Sequence, residues 1–430
     1  MNTTRHPAQI FVKDLQESDT RTLQGTRATL LDRLALNFLY DAIGRPPVDF
    51  KLWDGTHAAN SPGGSRLRII FRTRKALWRT CLRPDPGFGD AYTVGEADIE
   101  GDLIETLIET YRTMEQSPWQ NFRRRVPGWV ALPYGNSLTE SKRNIAAHYD
   151  LGNDFYRLWL DPDMVYTCAY YRGADLDLAA AQQAKLEHVC RKVGLTPGMR
   201  VVEAGCGWGS LALYMARHYG VKVRAFNISR EQITHAQQRA REEGLDHAVE
   251  FIEDDYRNIR GEYDAFVSVG MLEHVGPDHY RELGELIKRC LAPAGRGLIH
   301  SVGRNRTTPM NGWIHQRIFP GSYTPSLKEM MDIFEATSFS ILDVENLRLH
   351  YARTLTDWLR NFDDRLPVIR DKYNEAFIRA WRLYLGGCVA AFTAGTLQLF
   401  QVVFTHSGNN RLPRSRDHLY AGTEPEFWSN

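Results

Sequence analysis

The sequence is short of the features that usually place a chain quickly. Among its 430 residues Lys+Arg is 53 and Asp+Glu is 52, a net charge of +1, so no charge of one sign dominates. That excludes a globally basic nucleic-acid binder and leaves any charged partner surface to be local. Only six cysteines occur, none in a CxxC pair, which argues against a disulfide framework or a structural zinc site. The opening MNTTRHPAQIFVKDLQ holds no basic-then-apolar run. No signal peptide and a reducing, cytosolic compartment are therefore expected. Repeats and low-complexity tracts are missing too, and 43% apolar with 24% charged residues is ordinary for a folded chain.

One stretch, Leu383–Phe404, runs 22 positions without a charge, long enough to span a bilayer. Gly386, Gly387 and Gly395 interrupt it, and Gln398 and Gln401 sit in its second half. It reads as a buried helix ending near Gly395 followed by a buried strand.

Residues 1–110 mix alternation (Leu67, Ile69, Phe71) with the turns Arg45-Pro46-Pro47 and Ser61-Pro62-Gly63-Gly64, and predict a small α+β domain suited to lipid-surface or dimer contact. Residues 111–138 read as a linker and 139–430 as the catalytic domain. From Met199 onward strands at 199–204, 221–226, 249–252, 263–269, 297–302 and 340–344 alternate with helices at 210–219, 230–242, 278–290 and 326–336. That spacing means βαβ units around a parallel sheet, an α/β Rossmann-like architecture. A last strand at 397–404 lacks the alternation and suits antiparallel pairing, and residues 353–395 are expected as helical cover over the sheet.

The chemistry concentrates at Val201-Val-Glu-Ala-Gly-Cys-Gly-Trp-Gly209. Glycines at a strand-to-helix turn let backbone approach a ligand closely. The spacing is GxGxG rather than GxGxxG, and Glu203 would repel a pyrophosphate but attract the cationic end of an amino acid. S-adenosylmethionine fits better than a nicotinamide dinucleotide. At the end of the second strand, where an acid would hold ribose hydroxyls, stands Asn227, leaving recognition to Asn227, Ser229 or backbone. Asp254-Asp255-Tyr256 is placed to flank an adenine.

Asn144–Phe155, Tyr166-Thr-Cys-Ala-Tyr170, Glu203–Gly209, Gly270-Met-Leu-Glu-His-Val-Gly276 and Gln398–Phe404 together resemble the cyclopropane-fatty-acid-phospholipid synthase family, with mycolic acid cyclopropane synthases as cousins. The resemblance covers roughly residues 140–405 and implies that the α/β sheet is a Rossmann-like class I methyltransferase sheet with helical cover, preceded by a smaller α+β domain. It implies transfer of a methylene carbon from S-adenosylmethionine to a cis double bond of phospholipid acyl chains, through a carbocation deprotonated by bound bicarbonate. It assigns the bicarbonate to Cys168, Glu273, His300 and Tyr351, with backbone near Val302 assisting and Cys388 close by. It assigns the cofactor to Tyr166, Thr167, Glu203, Ala204, Gly205, Cys206, Gly207, Gly209, Asn227, Ile228, Ser229, Gln232, Tyr256 and Arg257. Asn227 stands where many relatives have Thr. Tyr149, Tyr170, Trp313 and Tyr323 are candidates for the acyl slot, and Cys81, Cys190 and Cys290 read as structural.

A homodimer, peripheral on the inner face of the membrane, is expected by the same resemblance. Arg66, Arg68, Arg72, Arg74, Lys75, Arg79 and Arg83 lie within 18 residues free of acids, a candidate contact for anionic head groups. Two other outcomes stay open: a methylene- or methyl-branched product, and a non-catalytic lipid-binding protein.

Overall fold

The computed structural model describes residues 27–117 and 151–420. The chain forms two compact units, the first containing 308–320 and 355–397 in addition to the N-terminal residues, the second the rest.

In the first unit, β1 (Asp49–Leu52), β2 (Arg68–Phe71) and β3 (Ala97–Glu100) form a sheet in that order, with β1 parallel and β3 antiparallel to β2. The alternation at Leu67, Ile69 and Phe71 buries one face of β2, as expected. Helix Leu30–Ala42 starts with a capping box in which Thr29 and Asp32 satisfy each other's backbone N–H groups. The boundaries differ from those read in the sequence. Residues 111–116 continue helix Leu103–Gln116 rather than opening a linker. Helix Glu375–Ala394, expected to belong with the large sheet, is part of this unit and packs on Leu103–Gln116, and Gly386 lets the Leu103 side chain approach to where a Cβ would stand 3.0 Å away. Apolar spacing shows that a helix is buried, not against what.

The basic run is also neutralised. Arg66 pairs with Glu105, Arg68 with Asp49 and Glu100, Arg72 with Asp98, Arg74 with Asp32, and Lys75 and Arg79 with Glu96. Six of the seven cations thus face acids, so the charge of the run is largely balanced within the protein.

The second unit holds seven strands in the order β6-β5-β4-β7-β8-β10-β9. They are β4 (Arg200–Ala204), β5 (Lys222–Asn227), β6 (Val249–Glu253), β7 (Tyr263–Val269), β8 (Leu291–Gly303), β9 (Phe339–Asn346) and β10 (Gln398–His406). β10 is antiparallel to both β8 and β9; the other pairings are parallel. The uncharged run resolves into a helix ended by left-handed Gly395 and then strand β10, which is buried for nearly all its length between two neighbours. Among the described residues no helix is long and apolar enough to cross a membrane. The chain steps outward from β4 to β5 and β6 and returns to β7 on the other side. Ligands of such sheets bind at that reversal, beyond the carboxyl ends of the strands.

Candidate active site

The reversal point is where β4 ends. Val201, Val202 and Ala204 are fully buried, so the strand stops with its backbone fixed, and Gly205 (φ 85°), Gly207 (φ 53°) and Gly209 (φ 87°) then turn through left-handed conformations. The amides of Gly205 and Cys206 bond to Phe226 O at the end of β5, at 2.9 and 3.1 Å. A Cβ on Gly207 would meet nothing within 4 Å, whereas one on Gly209 would stand 2.6 Å from Phe251 and 2.8 Å from Ala236. The two glycines therefore differ in purpose: the first leaves backbone open to a ligand, the second allows helix Ser210–Tyr219 to pack. Gly209→Ala should cost more than about 2 kcal/mol of stability, combining strain and overpacking; thermal unfolding beside Gly207→Ala measures the difference.

A cavity of about 140 Å³ lies over this turn. Of the residues assigned to the cofactor, Tyr166, Thr167, Glu203, Gly205, Cys206, Gly207, Asn227, Ile228, Gln232, Tyr256 and Arg257 line it. Ala204, Gly209 and Ser229 are not in the lining. Ala204 is strand core, Gly209 is a packing position, and Ser229 caps helix Arg230–Glu242 by accepting from Gln232 N–H. Asn227 is largely committed within the protein: its Nδ2 donates to Gly207 O (3.3 Å) and Gln232 Oε1 (2.8 Å). It ties the glycine turn to the next helix. Asp254 and Asp255 line the cavity beside Tyr256, and Asp255 accepts from Arg257 N–H at 3.0 Å.

Two buried carboxyl groups line the cavity, Glu203 and Asp255, and Asp255 is already engaged by the Arg257 backbone. Glu203 is 2% exposed, and its Oε2 has no hydrogen-bond partner. Burial pushes its pKa up to about 8, with the Lys185 ammonium opposing. Lys185 itself is buried, lines the cavity, and donates to Thr167 Oγ1 at 2.9 Å. Burial lowers it to about 8 against the pull of Asp161. Sequence reading missed this lysine. The available signal was its place on the stripe Leu178, Ala181, Lys185, His188, Lys192, all buried in helix Leu178–Val193.

A second cluster forms at the neighbouring strand ends. Val302 N–H donates to Glu273 Oε1 at 2.6 Å, and Gly270 N–H donates to His300 O at 2.9 Å. Glu273 is half-buried, but its Oε2 is shielded from water without a partner, and burial raises its pKa to about 7. His300 is fully buried, its Nε2 likewise unpartnered, and burial with the Lys185 and Lys192 charges holds it neutral. Cys168 and Tyr351 meet at Leu347: its carbonyl lies 3.9 Å from Cys168 Sγ and accepts Tyr351 N–H at 3.1 Å. Leu347 N–H in turn bonds to Leu399 O, and Leu399 is the register partner of Val302. The backbone of Val302, Leu399 and Leu347 thus brings the chain positions of the four assigned residues to one end of the β8-β10-β9 edge. Cys168 is a buried thiol, pushed up in pKa by burial, and not a nucleophile.

Cys388 belongs to the first unit, on helix Glu375–Ala394, where burial pushes its thiol up to about 12. Trp313 is also in that unit, seated against Gly89. Tyr323 hydrogen-bonds to Glu329, and Tyr170 is stacked between His188 and His350, at 4.3 and 4.8 Å between ring centroids. These contacts fix the three rings within the protein. Tyr149, like Asn144–Asp150 of the first motif, lies outside the described residues.

The family described as mycolic acid cyclopropane synthetase matches residues 136–402. The chain belongs to this family. The cyclopropane-fatty-acyl-phospholipid synthase of Escherichia coli is 44% identical over 270 residues, 63% of this chain and 69% of that relative. The tuberculostearic acid methyltransferase of Mycobacterium tuberculosis is 32% identical over 431 residues, 95% of this chain and 99% of that one. A solved mycolic acid cyclopropane synthase complexed with SAH and CTAB is 31% identical, with a TM-score of 0.58 over 61% of this chain and 97% of that chain. The protein is accordingly an S-adenosylmethionine-dependent enzyme of the cyclopropane synthase and methyltransferase family. The cavity suits that cofactor. Glu203 presents a buried carboxyl oxygen, Oε2, without a hydrogen-bond partner, and the open backbone at Gly207 admits close approach.

Proposed function

We propose that this enzyme adds one carbon from S-adenosylmethionine across the cis double bond of unsaturated phospholipid acyl chains and closes a cyclopropane ring, with bicarbonate as the base. The observation that carries the reading is a pair of unpartnered buried polar atoms, Glu273 Oε2 and His300 Nε2, at adjoining strand ends beside the cofactor cavity's Gly270–Met271 wall. An acceptor and a neutral donor together suit a small anion that carries one proton.

S-adenosylmethionine, when bound, supplies an electrophilic methyl on a sulfonium. Bicarbonate, when bound, supplies a weak base for the proton that leaves on ring closure. The chain's own part is to hold both and keep water out. Glu203 receives the cofactor's ammonium group, and Tyr166, Trp208 and Tyr256 offer aromatic faces to positive charge. Glu273 accepts a proton from the anion while Val302 N–H fixes its other oxygen. His300, Cys168 and Tyr351 complete the anion's polar surround. We place the enzyme on the inner face of the membrane as a homodimer.

A methylene- or methyl-branched product is the second reading, favoured by the near full-length similarity to the tuberculostearic acid methyltransferase. One experiment separates them. Purified protein is incubated with S-adenosylmethionine and unsaturated phospholipid vesicles, with and without added bicarbonate, and the released acyl chains are analysed. The expected result is a gain of one carbon with high-field ring protons in the NMR spectrum. Vinylidene protons would establish the methylene-branched product, a methyl doublet that appears only when a hydride donor is added would establish its reduced methyl-branched form, and no mass gain at saturating cofactor would overturn both.

A further inference from the structure

Strand register places three polar side chains in one row: Glu345 on β9 faces Gln401 on β10, which faces His300 on β8. Gln401 and His300 are fully buried. Lys192, buried on helix Leu178–Val193, reaches down onto this row. Its Nζ lies 2.7 Å from Gln401 Oε1 and 2.5 Å from Glu345 Oε2. Glu345 also accepts from His188 Nε2 at 2.8 Å.

The chemistry of these groups leaves one arrangement. An ammonium has only donors, so the Gln401 amide must turn its oxygen to Lys192. Its NH₂ then faces His300 Nδ1, 3.0 Å away, and can only donate. Nδ1 must therefore be the lone-pair nitrogen, and the neutral imidazole carries its proton on Nε2. The opposite tautomer would set two N–H groups against each other in a dry interior, a conflict costing on the order of a lost buried hydrogen bond.

We infer that Gln401, oriented by Lys192, is a positioning residue that fixes His300 as its Nε2–H tautomer and so makes it a one-proton donor. That the donor serves the bicarbonate rests on the function proposed above; the tautomer assignment does not. Neither Gln401 nor Lys192 need touch substrate or cofactor to act in this way.

Nitrogen-15 NMR of histidine-labelled full-length enzyme tests it, with His300 assigned by its loss in His300→Gln. The wild-type protein should show a pyrrole-type Nε2 and a pyridine-type Nδ1. Gln401→Glu puts an acceptor opposite Nδ1 and should exchange the two, lowering turnover roughly 100-fold or more while cofactor affinity stays unchanged. Gln401→Met removes the bias without inverting it and should lose less. A wild-type spectrum with the proton on Nδ1 overturns the inference without any variant. An inverted tautomer in Gln401→Glu with normal turnover would uphold the tautomer assignment and overturn the assignment of His300 as the anion's donor.

Discussion

Glu273→Gln is expected to bind S-adenosylmethionine as well as the wild type does and to turn over ~10²–10⁴-fold more slowly, the usual range for losing a positioned proton acceptor. The substitution preserves shape. The amide oxygen can still accept Val302 N–H, where Glu273 Oε1 now does at 2.6 Å. What changes is the second position, where an acceptor becomes a donor and can no longer take a proton. The residue lies beside the cofactor cavity without lining it, while its neighbours Met271 and His274 do line it. Binding measured by calorimetry should therefore separate from turnover measured by acyl-chain mass spectrometry. If both fall together, Glu273 is structural and the base-holding reading is lost.

The second large effect belongs to Glu203. Its carboxyl is raised from 4.5 to about 8 by burial, so the folded apo protein keeps a proton that the unfolded chain has already released. Stability from this group is complete below the unfolded value and is lost as pH climbs through the folded one. The apo unfolding midpoint should thus fall between about pH 5 and 8, and Glu203→Gln should flatten that slope. Cofactor binding reverses the burden. A cation beside the carboxylate favours its charged form, so binding near neutral pH should expel a proton. Calorimetry in buffers of different protonation enthalpy should detect this release in the wild type and lose it in Glu203→Gln. The same variant should bind the cofactor about 10- to 100-fold more weakly, as expected for removing a charge-assisted hydrogen bond. Unchanged affinity would place the cofactor's amino group elsewhere.

Much of the second unit was legible because its signals are local. Tyr263–Val269 and Arg230–Glu242 were readable to the residue, since period and capping mark their ends. The glycine turn was readable because strand, φ-tolerant residues and helix follow one another directly. Pairings at long range were not. The acids that neutralise Arg66–Arg79 come from Asp32, Asp49 and Glu96–Glu105, and no spacing rule links them to that run. Lys185, His188 and Lys192 escaped notice for a different reason: charge on a helix normally means solvent, and here each is buried against a partner distant in sequence. Membership of residues 355–397 in the first unit was equally invisible, because apolar spacing does not name its neighbour.

That membership bears on how the molecule can be made. Arg379 donates to the carbonyls of Tyr92 and Ala97, so early and late stretches of polypeptide finish the same small body. During translation the opening quarter of the chain must wait, incompletely closed, until residue 397 has cleared the ribosome. Gene fragments that stop short of that point should yield insoluble or chaperone-bound product, and no single cut can release the N-terminal body as a free-standing module.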